Sequence, residues 1–130
     1  MSIMTLGDFV AEARSRITEI RADEVDLLLE NNEPILIVDV REPDEYATSH
    51  IPGALLIPRG TLEGAADPGS PHQVAALCQA RERFIVLYCE SGGRSALAAD
   101  VLTRMGFTQV QSLAGGLVMW DAEGLPLARD

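Results

Sequence analysis

Phe84-Ile85-Val86-Leu87-Tyr88-Cys89-Glu90-Ser91-Gly92-Gly93-Arg94-Ser95 is the stretch of this chain that reveals most about its fold. A short apolar run ends in a cysteine, a loop with two glycines follows, and a helix-forming segment comes next, at residues 96–102. A strand, a tight loop and a helix N-terminus can bind an anion, because the loop and first-turn N–H groups have no intrahelical partners and the helix dipole favours negative charge. The stretch therefore predicts that Cys89 ends a strand and is held as a thiolate.

The loop after this cysteine supplies the predicted anion-binding groups. Gly92 and Gly93 allow positive φ and leave space for a substrate, and Arg94 adds a permanent positive charge. Cys89 is therefore the candidate catalytic nucleophile. The backbone N–H of Arg94 is expected to face the anion, whereas the direction of its side chain is left open. The candidate binding loop consists of the residues after the nucleophile: Glu90, Ser91, Gly92, Gly93, Arg94 and Ser95.

Composition and charge argue against several classes of function. The chain has 130 residues, enough for one domain with its own core, and 47% of them are hydrophobic. With 20 acidic residues, 10 arginines and no lysine, the net charge is -10, which argues against nucleic acid or an anionic membrane as a partner. The sequence shows no recognisable signal peptide and no membrane span, so a cytoplasmic location is expected.

The chain contains two cysteines, Cys78 and Cys89, and neither belongs to a CxxC motif or to a cluster with histidine. No metal site and no thioredoxin-type dithiol is therefore expected. Cys78 lies at a core-facing position of the helix predicted over residues 71–80, so it is expected to be a small buried apolar residue. A role for Cys78 as a resolving thiol is kept as the alternative.

Predicted strands and helices alternate along the chain, which indicates an α/β fold with a parallel sheet. Residues 1–18 are predicted to be an N-terminal helical extension, and residues 19–130 the domain that contains Cys89. The segment 60–71 is predicted to be the longest irregular loop. The predicted strands are 19–20, 34–40, 54–57, 84–88 and 109–113, and the predicted helices are 5–19, 23–31, one that begins at residue 42, 71–80, 95–105 and 117–122.

Polar residues at the end of the second strand are expected to support the site, because open parallel sheets bind ligands outside the carboxyl ends of their strands. Asp39 is expected to accept hydrogen bonds from the loop, and Arg41 is expected to pair with a carboxylate such as Glu42 or Glu45. His50 lies next to a Pro-Gly turn, so it is expected to be hydrogen-bonded and structural rather than an acid or base.

Four short stretches, taken together and in order, resemble the single-domain rhodanese (sulfurtransferase) family along most of the chain. They are residues 37–42 with Glu45-Tyr46, residues 50–54, residues 88–95, and Gly115-Gly116 with Trp120 and residues 124–126. The resemblance implies a five-stranded parallel sheet in the order 1-5-4-2-3 with helices on both faces, and an active cysteine after the fourth strand. It also implies a chemistry in which Cys89 takes a sulfane sulfur from a donor and passes it to a thiol or cyanide acceptor.

The resemblance implies no metal and no organic cofactor, and the expected partners are a small sulfur donor, thiosulfate or a persulfide, and a thiol acceptor. A sulfur-relay protein is a further expected partner. Glu90, directly after the nucleophile, is expected to repel the thiosulfate dianion, unless its side chain faces solvent or pairs with an arginine.

Two other functions remain as alternatives. The chain can be a rhodanese-like sulfur-carrier or interaction module with little turnover of small molecules. It can also be a phosphatase or arsenate reductase, since such enzymes share this fold. They use a C-x5-R loop, whereas Cys89 and Arg94 form a shorter C-x4-R loop, which favours sulfur transfer.

Overall fold

Five parallel β-strands form the centre of the computed structural model, which describes residues 2–129. The order of the strands is β1-β5-β4-β2-β3, as the resemblance implied. Asp39 in β2 lies opposite Tyr88 in β4, so these two strands end at the same level. The strands are β1 (Thr18–Ile20), β2 (Leu36–Asp39), β3 (Leu55–Leu56), β4 (Phe84–Tyr88) and β5 (Gln109–Leu113).

Helices cover both faces of this sheet. The packing of α4, α5 and α6 forms one apolar layer with the sheet, and the packing of α2 and α7 forms the other. None of the helices among residues 2–129 is both long enough and apolar enough to cross a bilayer. The helices are α1 (Leu6–Arg14), α2 (Ala22–Glu30), α3 (Pro43–Thr48), α4 (Leu62–Ala66), α5 (Ala75–Cys78), α6 (Gly93–Arg104) and α7 (Gly116–Ala122), with a 3-10 turn at Arg59–Thr61.

Strand β4 is buried on both faces, which explains its uninterrupted apolar sequence. Ile85 and Leu87 pack into one layer, while Val86 and Tyr88 pack into the other, and all four side chains are fully buried. Because alternate residues of a strand point to opposite faces, each must be apolar where both faces are covered by helices. The nucleophile candidate thus follows the best-buried strand of the sheet.

Three predicted elements differ from the structure. The segment predicted to be an irregular loop contains the 3-10 turn and α4, whose apolar positions Leu62, Ala65 and Ala66 all face the core. The helix predicted over 71–80 is restricted to α5, because Ser70 Oγ accepts a hydrogen bond from the N–H of His72 and holds the preceding segment in a turn. The helix predicted over 5–19 ends at Arg14, because residues from Thr18 onward pair with β5.

Helix α1 packs along α6, close to the loop that follows Cys89. Its start has the predicted capping box, in which Thr5 Oγ1 accepts from the N–H of Asp8 and Asp8 accepts from the N–H of Thr5. After the helix, Arg16 Nη2 binds Asp100 Oδ2 of α6 at 2.6 Å. Helix α1 and Arg16 therefore contact the rest of the fold, and the separation of residues 1–18 as an extension stays a prediction.

Candidate active site

The sulfur of Cys89 lies at the carboxyl edge of the sheet, inside the turn that joins β4 to α6. The N–H of Gly92 donates to Sγ at 3.1 Å and the N–H of Ser95 donates to it at 3.4 Å. Gly92 is the N-cap residue of α6 and has a φ of 102°, a conformation that glycine adopts without strain. Cys89 is only 1% exposed, so the predicted cysteine, loop and helix N-terminus come together around a buried sulfur.

Two serine hydroxyls close the inner side of the loop. Ser95 Oγ is 3.6 Å from Cys89 Sγ and also donates to the carbonyl of Gly92 at 3.3 Å. Ser112 Oγ of β5 is 2.8 Å from Ser95 Oγ. Ser112 was absent from the residues predicted for the site. The signal that could have found it is a lone serine opposite Leu87 in a buried part of a strand.

The Arg94 guanidinium binds Glu45 of α3 through its two outer nitrogens. Nη1 is 2.7 Å from Oε1 and Nη2 is 3.0 Å from Oε2, a bidentate geometry. These hydrogen bonds lower the pKa of Glu45 to about 2. Glu45 chiefly raises the pKa of Arg94, and Cys89 adds a smaller contribution in the same direction.

Asp39 and Arg41 form a buried ion pair behind the loop. Arg41 Nη2 binds Asp39 Oδ2 at 2.8 Å, and the two side chains are 3% and 0% exposed. The expectation that Arg41 pairs with Glu42 or Glu45 is wrong. Asp39 lies only two residues before Arg41, and its carboxylate binds the Arg41 guanidinium instead. Asp39 accepts from Arg41 and from the Tyr88 hydroxyl at 2.6 Å, rather than from the loop as expected.

Tyr88, the residue before the nucleophile, joins this pair to the turn at residues 50–54. Its hydroxyl accepts from the N–H of Ile51 at 3.0 Å while donating to Asp39. Burial and the hydrogen bond to Asp39 raise the pKa of Tyr88, so the hydroxyl stays protonated at neutral pH. His50 stacks on the Tyr46 ring at 3.7 Å and its Nδ1 is 2.9 Å from the Tyr46 carbonyl, which confirms that it is hydrogen-bonded.

Helix α7 fixes the loop from the other side. The N–H groups of Leu117 and Val118 donate to the carbonyls of Cys89 and Glu90 at 2.9 and 3.0 Å. A Cβ at Gly116 would lie only 2.5 Å from the Glu90 carbonyl oxygen, so only glycine fits there. By engaging the carbonyls, α7 holds the loop with its amides turned toward the sulfur.

The outer residues of the loop, Glu90 and Ser91, face solvent. Glu90 is half exposed, and its carboxylate lies 3.5 Å from Arg41 Nη1, a long contact. Beside it is an open cavity of about 440 Å³. The cavity is lined by Arg41, Glu45, Thr48, Ser49, Glu90, Leu117, Val118, Asp121 and Leu127.

Cys78 lies away from this group, and it is half-buried rather than fully buried as predicted. Its sulfur is 3.3 Å from the carbonyl of Ala65 on α4, so α4 and α5 hold it in the layer below the sheet. Within residues 2–129, no group of three or more His, Cys, Asp or Glu side chains has the arrangement of a metal site.

Comparisons with known proteins agree with this fold. The sequence model of the rhodanese-like domain family matches residues 21–123. The chain is 32% identical over 111 residues to a sulfurtransferase of Allochromatium vinosum, with 85% of this chain and 94% of that protein covered. A solved thiosulfate sulfurtransferase from Pseudomonas aeruginosa is 26% identical with a TM-score of 0.79, and the match covers 95% of this chain and 22% of that one.

A solved protein from Rhodopseudomonas palustris is similar over the full length. It is 31% identical, the match covers 98% of both chains, and the TM-score is 0.91. That protein is described as one of unknown function and a possible tyrosine phosphatase. The family model spans most of the chain, the Allochromatium relative is matched over nearly all of its length, and the strand order is the one the family implies. This chain is a member of the rhodanese-like domain family.

Proposed function

We propose that this protein is a sulfurtransferase that carries sulfane sulfur as a persulfide on Cys89 and delivers it to a thiol or to cyanide. The observation that carries the proposal is the pair of N–H groups, from Gly92 and Ser95, that point at the Cys89 sulfur. Backbone amides and a helix N-terminus stabilise the thiolate, which is the nucleophilic form of cysteine. The sulfurtransferase relative from Allochromatium vinosum supports the same reaction class.

The proposed reaction has two steps. In the first, the Cys89 thiolate attacks the outer sulfur of the donor, a bond from Sγ to that sulfur forms, and the donor leaves with the electron pair of its broken bond. In the second, an acceptor thiolate attacks the same sulfur, and the Sγ–S bond breaks with its electron pair returned to Sγ. The amides of Gly92 and Ser95 stabilise the negative charge on Sγ in the thiolate, before the first step and after the second.

Intact-protein mass spectrometry tests the proposal directly. The protein is incubated with thiosulfate, with mercaptopyruvate, or with a cysteine-desulfurase system, and we expect a gain of one sulfur that cyanide removes. The Cys89→Ser variant should gain none. The Cys78→Ser variant is the matched control and should load like the wild type, because Cys78 bonds only within the helical layer below the sheet. A persulfide on the Cys89→Ser protein would show that the assignment is wrong.

A sulfur-carrier or interaction module is the second candidate. The observation that favours it is that Cys89 is 1% exposed while apolar side chains of the neighbouring α1 are open to solvent, such as Leu6 at 72% and Phe9 at 49%. A protein donor that docks there would load Cys89, whereas small donors would turn over slowly. Rapid loading by the cysteine-desulfurase system, with negligible steady-state turnover of thiosulfate, would favour this candidate over the enzyme.

Phosphatase activity is the alternative raised by the Rhodopseudomonas palustris protein. In this chain the loop from Cys89 to Arg94 has the C-x4-R length, and its inner amides converge on one sulfur atom. We therefore expect p-nitrophenyl phosphate to be hydrolysed more slowly than sulfur is transferred. The opposite order of rates would favour the phosphatase.

We place the reaction in the cytoplasm, since both cysteines are free thiols.

A further inference from the structure

The two arginines next to the nucleophile are already paired with carboxylates. Arg41 is held by Asp39 through Nη2 at 2.8 Å and through Nε, and both side chains are buried. Arg94 uses both of its outer nitrogens on Glu45, at 2.7 and 3.0 Å. A planar guanidinium binds one carboxylate or oxyanion with such a fork, so the bidentate position of Arg94 is occupied by Glu45.

The charge that remains at the mouth is negative. The Glu90 carboxylate is half exposed and lies 3.5 Å from an Arg41 that Asp39 has already neutralised. Asp121 lines the same cavity beside the loop. A persulfide anion on Cys89 adds further negative charge, so a second substrate that carries its own negative charge near the sulfur is repelled.

The shape of the cavity indicates where the rest of an acceptor molecule lies. Its volume of about 440 Å³ is large enough for a small organic molecule or for the side chains around a protein cysteine. Leu117, Val118 and Leu127 form an apolar wall, while Glu45 and Glu90 line it with carboxylates. An acceptor with a short apolar stem and a positively charged group fits this combination.

The geometry points to Glu90 as a specificity-determining residue that selects a thiol acceptor with a cationic group close to its sulfur. Glu45 supports this selection by occupying Arg94, which leaves an anionic acceptor without that cation. This inference rests on the proposed function, since it concerns the second step of sulfur transfer. In that step the acceptor sulfur forms a bond to the outer sulfur of the persulfide, the Sγ–S bond of Cys89 breaks, and the electron pair stays on Sγ. The cationic group of the acceptor lies against the exposed Glu90 carboxylate and does not take part in bond changes.

Three small thiols of similar size provide the test: cysteamine, which is cationic, 2-mercaptoethanol, which is neutral, and 3-mercaptopropionate, which is anionic. Cys89 persulfide is first loaded and quantified by mass, and the rate of sulfur transfer to each thiol is then measured. Absence of loading would contradict the proposed function, whereas the comparison of loaded proteins tests only this inference. Each rate is divided by the rate of the same thiol with a small persulfide in solution, which removes differences in intrinsic reactivity.

Replacing Glu90 by glutamine removes the exposed charge without changing the size of the side chain. We expect Glu90→Gln to lower transfer to cysteamine about 3–10-fold, to raise transfer to 3-mercaptopropionate by a similar factor, and to leave 2-mercaptoethanol within about twofold. Glu33→Gln is the matched control, because it removes the same charge from an exposed residue beside the start of β2, at the opposite edge of the sheet. Glu33→Gln should leave the ratios between the transfer rates of the three thiols unchanged.

Replacing Glu45 by glutamine frees one of the two outer nitrogens of Arg94, because the glutamine amide has only one acceptor oxygen. That oxygen can still accept from the N–H of Glu42. We expect Glu45→Gln to shift the preference in the same direction as Glu90→Gln, and the effect of both to shrink at high salt. A change that is equal for the three thiols in both variants would overturn the inference. A shift toward the cationic thiol would overturn it as well.

Discussion

Gly116 is the residue on which the position of the nucleophilic loop depends most directly. Its φ is +59°, and a Cβ would come within 2.5 Å of the Glu90 carbonyl oxygen and 2.6 Å of the Cys89 carbonyl oxygen. We expect Gly116→Ala to lower the free energy of unfolding by about 2–5 kcal/mol, from positive-φ strain and overpacking against backbone. It should also slow persulfide formation, because the loop must move.

Gly124 provides the control for this substitution. It has a φ of +72°, but a Cβ there would meet no atom within 4 Å. Gly124→Ala should therefore cost only the backbone strain, about 1–2 kcal/mol, and leave persulfide formation unchanged. Urea denaturation and mass-spectrometric loading measure the two quantities. Equal stability losses in the two variants would mean that the close approach of Gly116 to the loop has no energetic consequence.

Glu45 links the pH dependence of stability to the mouth of the site. Its pKa falls from 4.5 to about 2 because Arg94 donates two hydrogen bonds to it. A carboxylate with a lowered folded-state pKa stabilises the fold above the unfolded-state value, and this contribution is lost as the pH falls through the folded-state value. We expect Glu45→Gln to cost about 1 kcal/mol at pH 7, since both partners are partly exposed.

The stability difference between wild type and Glu45→Gln should stay constant above about pH 5 and shrink between pH 4.5 and 2. Urea unfolding at several pH values measures it. Glu63 pairs with Arg59 at 2.9 Å in an i, i+4 arrangement, and its carboxylate is more exposed than that of Glu45. Glu63→Gln should give a smaller difference, and a larger one would contradict the importance given to the bidentate contact.

The residues of the site were predictable where one short stretch contains both the group and its reason. Cys89, Gly92 and Ser95 follow from the strand, loop and helix order alone. The partners of Arg41 and Arg94 were not predictable, because each arginine has several carboxylates within reach in sequence and only packing selects one. Residues contributed by other elements, such as Ser112 and Gly116, contact the loop through tertiary structure that periodicity does not encode.

At the scale of elements, an ion pair between Arg16, just after α1, and Asp100 of α6 adds to the packing of the two helices. Asp100 is nearly buried, and Arg16 binds it at 2.6 Å and lowers its pKa. Removal of Arg16 leaves this carboxylate without its partner in a site of low polarity. We expect Arg16→Ala to lower the free energy of unfolding by about 1–3 kcal/mol.

Arg21→Ala is the control for Arg16→Ala. Arg21 is 71% exposed and its partner Asp23 is also exposed, so that pair should contribute less than about 1 kcal/mol. Urea unfolding of the three proteins compares the two pairs. Hydrogen exchange in α1 should rise in Arg16→Ala alone, if the pair is what holds α1 to the domain. An equal effect of the two substitutions would argue that burial of Ala13 holds the helix instead.

The elements themselves were predictable in proportion to how strongly their sequences are patterned. The strands at 84–88 and 109–113 have the predicted bounds. The first of them is an apolar run that is buried over nearly all of its length, which gives it clear limits. Helix α4 was missed because Gly60 and Gly64 interrupt its pattern, and its five residues are too few to show a helical period. Short elements of this kind are stabilised by tertiary packing rather than by local preference.

For the whole molecule, the strand order decides which residues meet. Because β4 lies between β2 and β5, Cys89 enters the space between Asp39 at the end of β2 and Ser112 on β5. Alternation of strands and helices predicts a parallel sheet but not the order of its strands, since several right-handed arrangements satisfy the same pattern. The order was predictable only through the resemblance to rhodaneses.

Net charge is the property of the whole molecule with the clearest measurable effect on stability. With 20 acidic and 10 basic residues, the carboxylates outnumber the cationic side chains two to one, so the folded state repels itself. The Debye length falls from about 30 Å at 10 mM salt to about 8 Å at 150 mM. A chain of this length has a radius of gyration of about 14 Å, so salt should screen much of the repulsion.

We expect Tm to rise by about 3–6 °C between 10 and 150 mM salt, which corresponds to roughly 1 kcal/mol. Sodium sulfate at equal ionic strength should give the same rise in Tm, because screening depends on ionic strength alone. A larger rise with sulfate would indicate exclusion of that salt from the protein surface instead. A fall in Tm would mean that favourable pairs such as Arg94–Glu45 outweigh the repulsion.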